Sequence, residues 1–102
     1  MQSLISLQQY ANGRLIGPRI AATPILEEVE LALNRNQEVV LNFQGIEATQ
    51  SFIDGLIGAL ILKRSPEVLD QLIFKSCSED VKAILQFVAA DRCDQYLKFN
   101  TH

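Results

Sequence analysis

Ser51 is the residue whose type and setting most directly suggest chemistry. It stands in Thr49-Gln50-Ser51, between the loop Gln44–Ala48 and a strongly apolar segment that predicts a helix. A hydroxyl at the start of a helix can accept hydrogen bonds from free backbone N–H groups, a cap that contributes about 1 kcal/mol. It can also be phosphorylated, since the positive end of the helix dipole favours a phosphate dianion. The residues alone leave both interpretations open.

Arg14 and Arg19 form the second group of residues suited to chemistry. They occur in Asn12-Gly13-Arg14 and Gly17-Pro18-Arg19, around a glycine-containing turn that precedes a predicted helix. Guanidinium groups bind anions and carboxylates through paired, charge-assisted hydrogen bonds. The two arginines are therefore candidates for anion binding, and the alternative is a pair of solvated arginines in a loop. In a parallel sheet both could reach the loop near Ser51.

The other reactive residue types form no catalytic or metal-binding pattern. The only histidine is His102, the last residue, so Ser-His and Cys-His chemistry lacks a base and most zinc sites lack a ligand. Cys77 and Cys93 have no metal or redox spacing and predict two reduced thiols. Glu27 and Glu30 lie three apart, as solvated carboxylates on surface helices do. No GxGxxG or P-loop occurs. We expect a protein that is not an enzyme and uses no cofactor or metal.

Length, composition and charge predict one globular domain and argue against binding to nucleic acid or membranes. The chain has 102 residues, 48% of them hydrophobic and 21% charged, which predicts one globular domain over residues 1–102. The net charge is −3 and the nine basic residues are scattered, which argues against nucleic acid. Met1-Gln2-Ser3 does not open a signal peptide. The longest apolar stretch, Phe52–Leu62, is about half a membrane span and contains Asp54. We expect a cytoplasmic protein that does not bind membranes.

Hydrophobic patterns predict alternating strands and helices. The predicted strands are Leu4–Leu7, Glu38–Phe43, Leu72–Phe74 and Tyr96–Phe99. The predicted helices run from Gly17-Pro18 to about Asn34, from about Gln50 to Arg64, and onward from a Ser78 cap, with a short helical turn over Pro66–Gln71. This order predicts an α/β fold with a mostly parallel or mixed sheet of about four strands and helices packed against it.

Two of these elements carry further expectations. The strand Glu38–Phe43 is almost continuously apolar, which predicts a central strand covered on both faces. The helix 50–64 is apolar nearly all round, so its own domain or a partner must bury it on more than one side. Gly55 and Gly58 lie within this helix, where close helix packing is the expected role.

The central segment resembles a known family. Val39–Ile46 followed by Gln50–Leu56 resembles the centre of STAS domains, the modules of anti-sigma-factor antagonists and of sulphate-transporter tails. Ile73–Ser78 and the residues after it resemble the next STAS strand and helix start. The chain is identified as a member of a bacterial family of small STAS-like proteins of unknown function. These share a Gly-Arg…Gly-Pro-Arg opening and a Gln-Ser-Phe-x-Asp-Gly/Glu-Leu helix start, and the resemblance covers nearly the whole chain.

This resemblance implies that Ser51 is a phosphorylation site as well as a candidate helix cap. It falls on the serine that antagonist proteins have phosphorylated by their kinase partner. Gln50 stands where the antagonists have Asp, and Phe52-Ile53 replace their Ser-Gly, so the kinase's recognition signal is altered. The first β-hairpin of STAS domains is also shortened to Leu4–Leu7. A fold shared with a family does not by itself assign that family's function.

The resemblance implies a non-enzymatic regulatory module that binds a protein partner, an anti-sigma-type kinase or other histidine-kinase-like ATPase. Phosphate on Ser51 would add about −1.5 to −2 charge beside Asp54 and release the partner by repulsion and desolvation. The alternative is a structural protein that forms a homodimer through the apolar helix 50–64. The candidate partner-binding residues are Gln44, Gly45, Glu47, Thr49, Gln50, Ser51 and Asp54.

Overall fold

The computed structural model describes residues 1–100, the last of them without its side chain, so His102 lies outside the described residues. The strands are β1 (Gln2–Ser6), β2 (Leu15–Ile16), β3 (Glu38–Asn42), β4 (Glu47–Ala48) and β5 (Leu72–Lys75). The α-helices are α1 (Thr23–Asn34), α2 (Gln50–Ile53), α3 (Ala59–Arg64) and α4 (Glu79–Asn100). A π-helical segment, Asp54–Gly58, joins α2 to α3, and 3-10 turns cover Leu7–Gln9, Arg19–Ala22 and Pro66–Gln71. We call the continuous helix formed by α2, the π-helical segment and α3 the central helix.

All strand pairs are parallel, as predicted for an α/β fold. β3 lies between β1 and β5 in a three-stranded sheet, and β2 pairs with β4 in a separate two-stranded sheet. The register sets Leu4 beside Val40 and Val40 beside Ile73. The described strands number five rather than about four, because the short pair β2–β4 has little apolar patterning to reveal it.

The predicted last strand, Tyr96–Phe99, is wrong. These residues belong to α4, which runs without a break from Glu79 to Asn100. No glycine or proline interrupts this segment, and an ion pair between Asp94 and Lys98 links successive turns at 3.1 Å. A short apolar pattern is compatible with a strand or with a helix. Here these residues continue α4 as a helix.

The start of the first helix also differs from the prediction. Pro18 is extended, a 3-10 turn covers Arg19–Ala22, and the α-helix begins only at Thr23. The reason is Pro24. An α-helix that began at Pro18 would carry Pro24 in its interior, where its ring would clash with the carbonyl four residues earlier and one hydrogen bond would be lost. In the observed structure Pro24 lies in the first turn, where its missing N–H has no cost.

The two faces of the three-stranded sheet differ. Ile5, Val39 and Leu41 are at most 2% exposed and belong to the core cluster. On the opposite face Val40 is buried but lies outside that cluster, and its neighbours Leu4 and Ile73 are 74% and 39% exposed. The prediction of a central strand is confirmed, and the apolar residues of β3 are buried on both of its faces. The core cluster itself covers only the face of Val39 and Leu41.

The central helix is buried by its own domain. Six of its apolar residues are at most 1% exposed: Phe52, Ile53, Leu56, Ile57, Leu60 and Ile61. It contacts α1, α4 and the 3-10 turn Arg19–Ala22. The apolar circumference that suggested a homodimer is thus used within the domain, and this helix offers no continuous apolar face to a second copy.

The two glycines of the central helix allow this close packing. A Cβ atom at Gly55 would lie 2.9 Å from the backbone oxygen of Arg19, a contact that no side-chain rotation can relieve. A Cβ atom at Gly58 would meet the Asp54 carboxylate and would lie 3.2 Å from Cγ of Arg92. The expectation that these glycines serve helix packing is confirmed. π-helical segments of this kind are often found at functional sites.

Candidate functional site

Thr49 is the residue that caps the central helix. Its backbone is extended, and its Oγ1 atom accepts a hydrogen bond from the Phe52 N–H at 3.1 Å. The same hydroxyl donates to the carbonyl oxygen of Gly17 at 2.5 Å. One side chain therefore satisfies a free N–H group at the start of the helix and fixes that start against the segment before the 3-10 turn.

Ser51 is consequently free of the capping role. It is exposed in the first turn of the central helix, and within residues 1–100 its hydroxyl has no hydrogen-bond partner. The buried side chain of Phe52 anchors the next position along the helix. Of the two interpretations that the sequence leaves open, capping belongs to Thr49.

Asp54 lies one turn further along the central helix and binds two arginines. It is the only buried charged residue in the described part of the chain, with 7% of its surface exposed. Arg92 of α4 makes a bidentate contact, Nε to Oδ1 at 2.5 Å and Nη2 to Oδ2 at 2.7 Å. Arg19 donates to Oδ2 through Nη2 alone. This ion-paired cluster ties the 3-10 turn, the central helix and α4 together.

The cluster sets the protonation state of its members. Hydrogen bonds from Arg92, opposed by burial and reinforced by Arg19, lower the pKa of Asp54 below its ordinary value. The hydrogen bond with Asp54 raises the pKa of Arg92. Asp54 is therefore ionised at neutral pH and holds a fixed negative charge inside the site.

Ser51 and this cluster share one cavity. The cavity has a volume of about 360 Å³. Its lining residues are Arg19, Gln50, Ser51, Asp54, Phe87, Val88, Asp91 and Arg92. It lies between the start of the central helix and the middle of α4, and its charged groups are two guanidinium groups and two carboxylates. Such a lining suits a polar group rather than an apolar ligand.

The structure separates the other predicted site residues. Gln44 and Gly45 form an exposed turn, where Gly45 has a φ of +73° and lies against the Gln8 side chain. Glu47 is half-buried in β4, and its carboxylate accepts a hydrogen bond from the Ser78 hydroxyl at 2.8 Å. Neither the turn nor Glu47 lines the cavity. Of the seven candidate contact residues, three line it: Gln50, Ser51 and Asp54.

The two candidate anion-binding arginines also separate. Arg19 reaches the cavity of Ser51, as the sequence suggested it could, and binds a carboxylate of the protein itself. Arg14 is exposed in the loop before β2, where its backbone oxygen accepts a hydrogen bond from the Glu47 N–H at 2.7 Å. Its side chain does not line the cavity.

Arg92 is the site residue that sequence reasoning missed. Its position in the sequence does indicate that it faces the protein interior. Arg92 continues the helical spacing of Val81, Leu85 and Val88, all of them buried. An arginine on the buried stripe of a helix needs a carboxylate. Asp54, the only acidic residue of the central helix, is the matching residue, although only the packing of two distant segments shows that they meet.

Removing the Thr49 hydroxyl should weaken the whole site. We expect Thr49→Val to lower the free energy of unfolding by about 1–2 kcal/mol, because a cap and a tie to Gly17 are both lost. Urea denaturation measures this. The matched control is Thr23→Val, an exposed threonine at the start of α1, where we expect a change within about 0.5 kcal/mol. Equal losses in the two variants would contradict the capping role.

Together the fold and the site describe a mixed α/β domain with parallel strands and a polar cavity at the start of a buried helix. Residues 21–82 match the family described as "STAS-like domain of unknown function (DUF4325)". The match spans more than half of the chain, and the chain belongs to this family. Comparison with curated proteins and with solved structures gives no significant match.

Three further observations concern the described residues only. No helix among residues 1–100 is both long enough and apolar enough to span a membrane. The same part of the chain brings no three histidine, cysteine or acidic side chains together in a group that could hold a metal ion. Cys77 and Cys93 are both free thiols, each partly buried.

Proposed function

We propose that this protein is a non-enzymatic regulatory module that docks on a protein partner and is switched by phosphorylation of Ser51. The observation that carries the proposal is that Thr49, and not Ser51, caps the central helix. Because Thr49 supplies the cap, the Ser51 hydroxyl stays exposed, unpaired within the described residues, and beside two guanidinium groups. Membership of a STAS-like family adds support.

The proposed reaction is transfer of a phosphoryl group from a nucleoside triphosphate, catalysed by a separate kinase. The Oγ atom of Ser51 forms a bond to the terminal phosphorus, the bond from that phosphorus to the leaving diphosphate breaks, and a base on the kinase takes the hydroxyl proton. Resemblance to antagonist proteins points to a histidine-kinase-like ATPase of the anti-sigma type as partner. We place this exchange in the cytoplasm, where nucleoside triphosphates are present.

The proposed contact surface consists of Gln50, which precedes Ser51 in the first turn of the central helix, and of the turn at Gln44 and Gly45, which lies outside the cavity. All three residues are exposed. None of the three is charged, so a partner would pay little desolvation cost when it covers them. A phosphate dianion at Ser51 would introduce charge into this neutral surface and disfavour the docked state.

Phosphorylation and binding are tested together. The full chain is incubated with ATP and each histidine-kinase-like ATPase encoded near its gene, and the intact mass and peptide masses are read. We expect one added phosphoryl group on Ser51, none on Ser51→Ala, and weaker binding of the phosphorylated form to the ATPase. Thr23→Ala, which removes an exposed hydroxyl outside the cavity and the proposed contact surface, is the control that should still be phosphorylated. A Ser51→Ala protein that binds and signals as before, with no phosphate detected in cells, contradicts the proposal.

A homodimer is the second candidate, and one observation favours it at a different surface from the central helix. Leu4, Val40 and Ile73 form a row across the open face of the sheet. A second copy would cover the apolar surface of Leu4 and Ile73, which are 74% and 39% exposed. Light scattering at two concentrations tests it. If this interface exists, the parent protein is a dimer and Ile73→Glu is a monomer. A parent protein that is monomeric at both concentrations contradicts the homodimer.

A further inference from the structure

The two arginines on Asp54 are held very differently. Arg92 donates through Nε and Nη2 to Asp54 and through Nη1 to the side chain of Gln95, and its side chain is 26% exposed. Arg19 donates through Nη2 alone, and its side chain is 59% exposed. A guanidinium has five N–H donors in a planar fork. Arg19 therefore keeps donors that the Asp54 contact does not use.

Arg19 also lines the same cavity as Ser51. Residues three apart on a helix are neighbours on one face, with Cβ atoms about 5–6 Å apart. Ser51 and Asp54 have this spacing, and both line the cavity that Arg19 also lines. A side chain that already touches Asp54 can thus reach a group attached to Ser51 by rotating about its own bonds, without movement of the 3-10 turn that carries it.

Asp54 would keep a partner if Arg19 left. The bidentate contact with Arg92 involves both carboxylate oxygens and does not depend on Arg19. The loss of Arg19 would therefore not leave a buried charge unpaired, which is the costly outcome for an ion pair. The cavity's other carboxylate, Asp91, is exposed on α4 and opposes the binding of any anion there.

We propose that phosphate on Ser51 captures Arg19 from Asp54, while Arg92 keeps the Asp54 carboxylate in place. This inference rests on the proposed function, because it describes what the phosphorylated state looks like. A phosphate takes paired N–H donors of a guanidinium in a bidentate contact. The phosphate then does not simply repel Asp54, because Arg92 still pairs with that carboxylate while Arg19 pairs with the phosphate. The switch rearranges the exposed surface around Arg19 and leaves the packed core unchanged.

The experiment uses phosphoserine placed at position 51 during translation, so that no kinase is needed. The readout is the second pKa of the phosphate, followed by phosphorus NMR over a pH titration of the full chain. We expect Arg19→Gln to raise this pKa by about half a pH unit relative to the otherwise unchanged phosphoprotein. Arg14→Gln, which removes an exposed arginine outside the cavity, should leave it unchanged. Asp91→Asn should lower it, since a like charge is removed.

A second measurement does not depend on any variant folding well. In nitrogen-labelled protein, the Nε–Hε signal of Arg19 should shift when serine 51 is replaced by phosphoserine, and that of Arg14 should not. An unmoved Arg19 signal together with equal phosphate pKa values in Arg19→Gln and the parent overturns the capture. That result leaves the proposed function intact if Ser51 is phosphorylated in cells. Conversely, absence of phosphate in cells removes the proposed function while a shifted Arg19 signal still supports the capture chemistry.

Discussion

Asp54→Asn is expected to lower the free energy of unfolding by about 2 kcal/mol at neutral pH. The substitution keeps the shape of the side chain but removes the charge that holds Arg92 by two hydrogen bonds. Charge-assisted hydrogen bonds contribute about 1.5–3 kcal/mol, and an unpaired, partly buried guanidinium is costly. Arg19 contributes less, because its side chain is more than half exposed and solvent screens its charge.

The pH dependence of this effect has a defined sign. The pKa of Asp54 is lowered by folding, so the folded state holds its proton less tightly than the unfolded chain does. The stabilisation by Asp54 is therefore complete well above the unfolded value of about 3.9 and is lost as the pH falls through the lower, folded value. The difference between the parent and Asp54→Asn should be constant from neutral pH to about pH 5 and vanish at lower pH.

Urea denaturation at a series of pH values measures both predictions. Glu30→Gln is the matched control, since Glu30 also contacts two cations, Lys63 at 3.1 Å and Arg64 at 3.4 Å. The first of these is exposed, so we expect a loss below about 1 kcal/mol. If Asp54→Asn costs no more than Glu30→Gln, or if its cost persists at low pH, the ionised cluster does not stabilise the fold as described.

Phe52→Ala should cause the largest loss of stability among single substitutions near the site, about 3–5 kcal/mol. The side chain is fully buried, and removing a buried aromatic ring costs its transfer free energy plus the cavity left behind. A domain of this size is typically stable by about 5–15 kcal/mol, so the variant should approach the limit of folding at 37 °C. Its denaturation midpoint in urea is the measurement.

The control for Phe52 is Phe99→Ala, because Phe99 is 73% exposed near the end of α4. Surface substitutions of this kind change stability by less than about 0.5 kcal/mol. A comparable loss in both variants would show that aromatic truncation destabilises the protein without regard to burial, and would contradict the packing described for the central helix.

The burial of Phe52 explains a departure from the antagonist pattern. The antagonists carry Ser-Gly where this chain carries Phe52 and Ile53, and both residues are fully buried here. They anchor the start of the central helix against the core. Packing therefore accounts for this departure. Ser51, which lies between the capping residue Thr49 and the buried Phe52, remains exposed.

Much of the secondary structure could be predicted from local pattern. The strand Glu38–Asn42, the continuous helix over 50–64, the turn Pro66–Gln71 and the Ser78 cap all follow the predicted boundaries closely. These elements have caps, prolines or strong apolar runs, which act within a few residues. Where two local signals competed, prediction failed, as at Pro18 with Pro24 and in the short apolar run Tyr96–Phe99.

The candidate site could likewise be predicted only where local sequence pattern was sufficient. The sequence by itself determined that Ser51 stands at a helix start, that Arg19 lies near the start of another helix, and that Asp54 is a charge in an apolar segment, because these are facts of local spacing. Only the tertiary structure decided that Thr49 is the cap, that Arg19 and Arg92 both bind Asp54, and that Ser51 opens onto their cavity. Arg92 lies 38 positions from Asp54 along the chain. Such contacts depend on how the helices pack, which no local pattern contains.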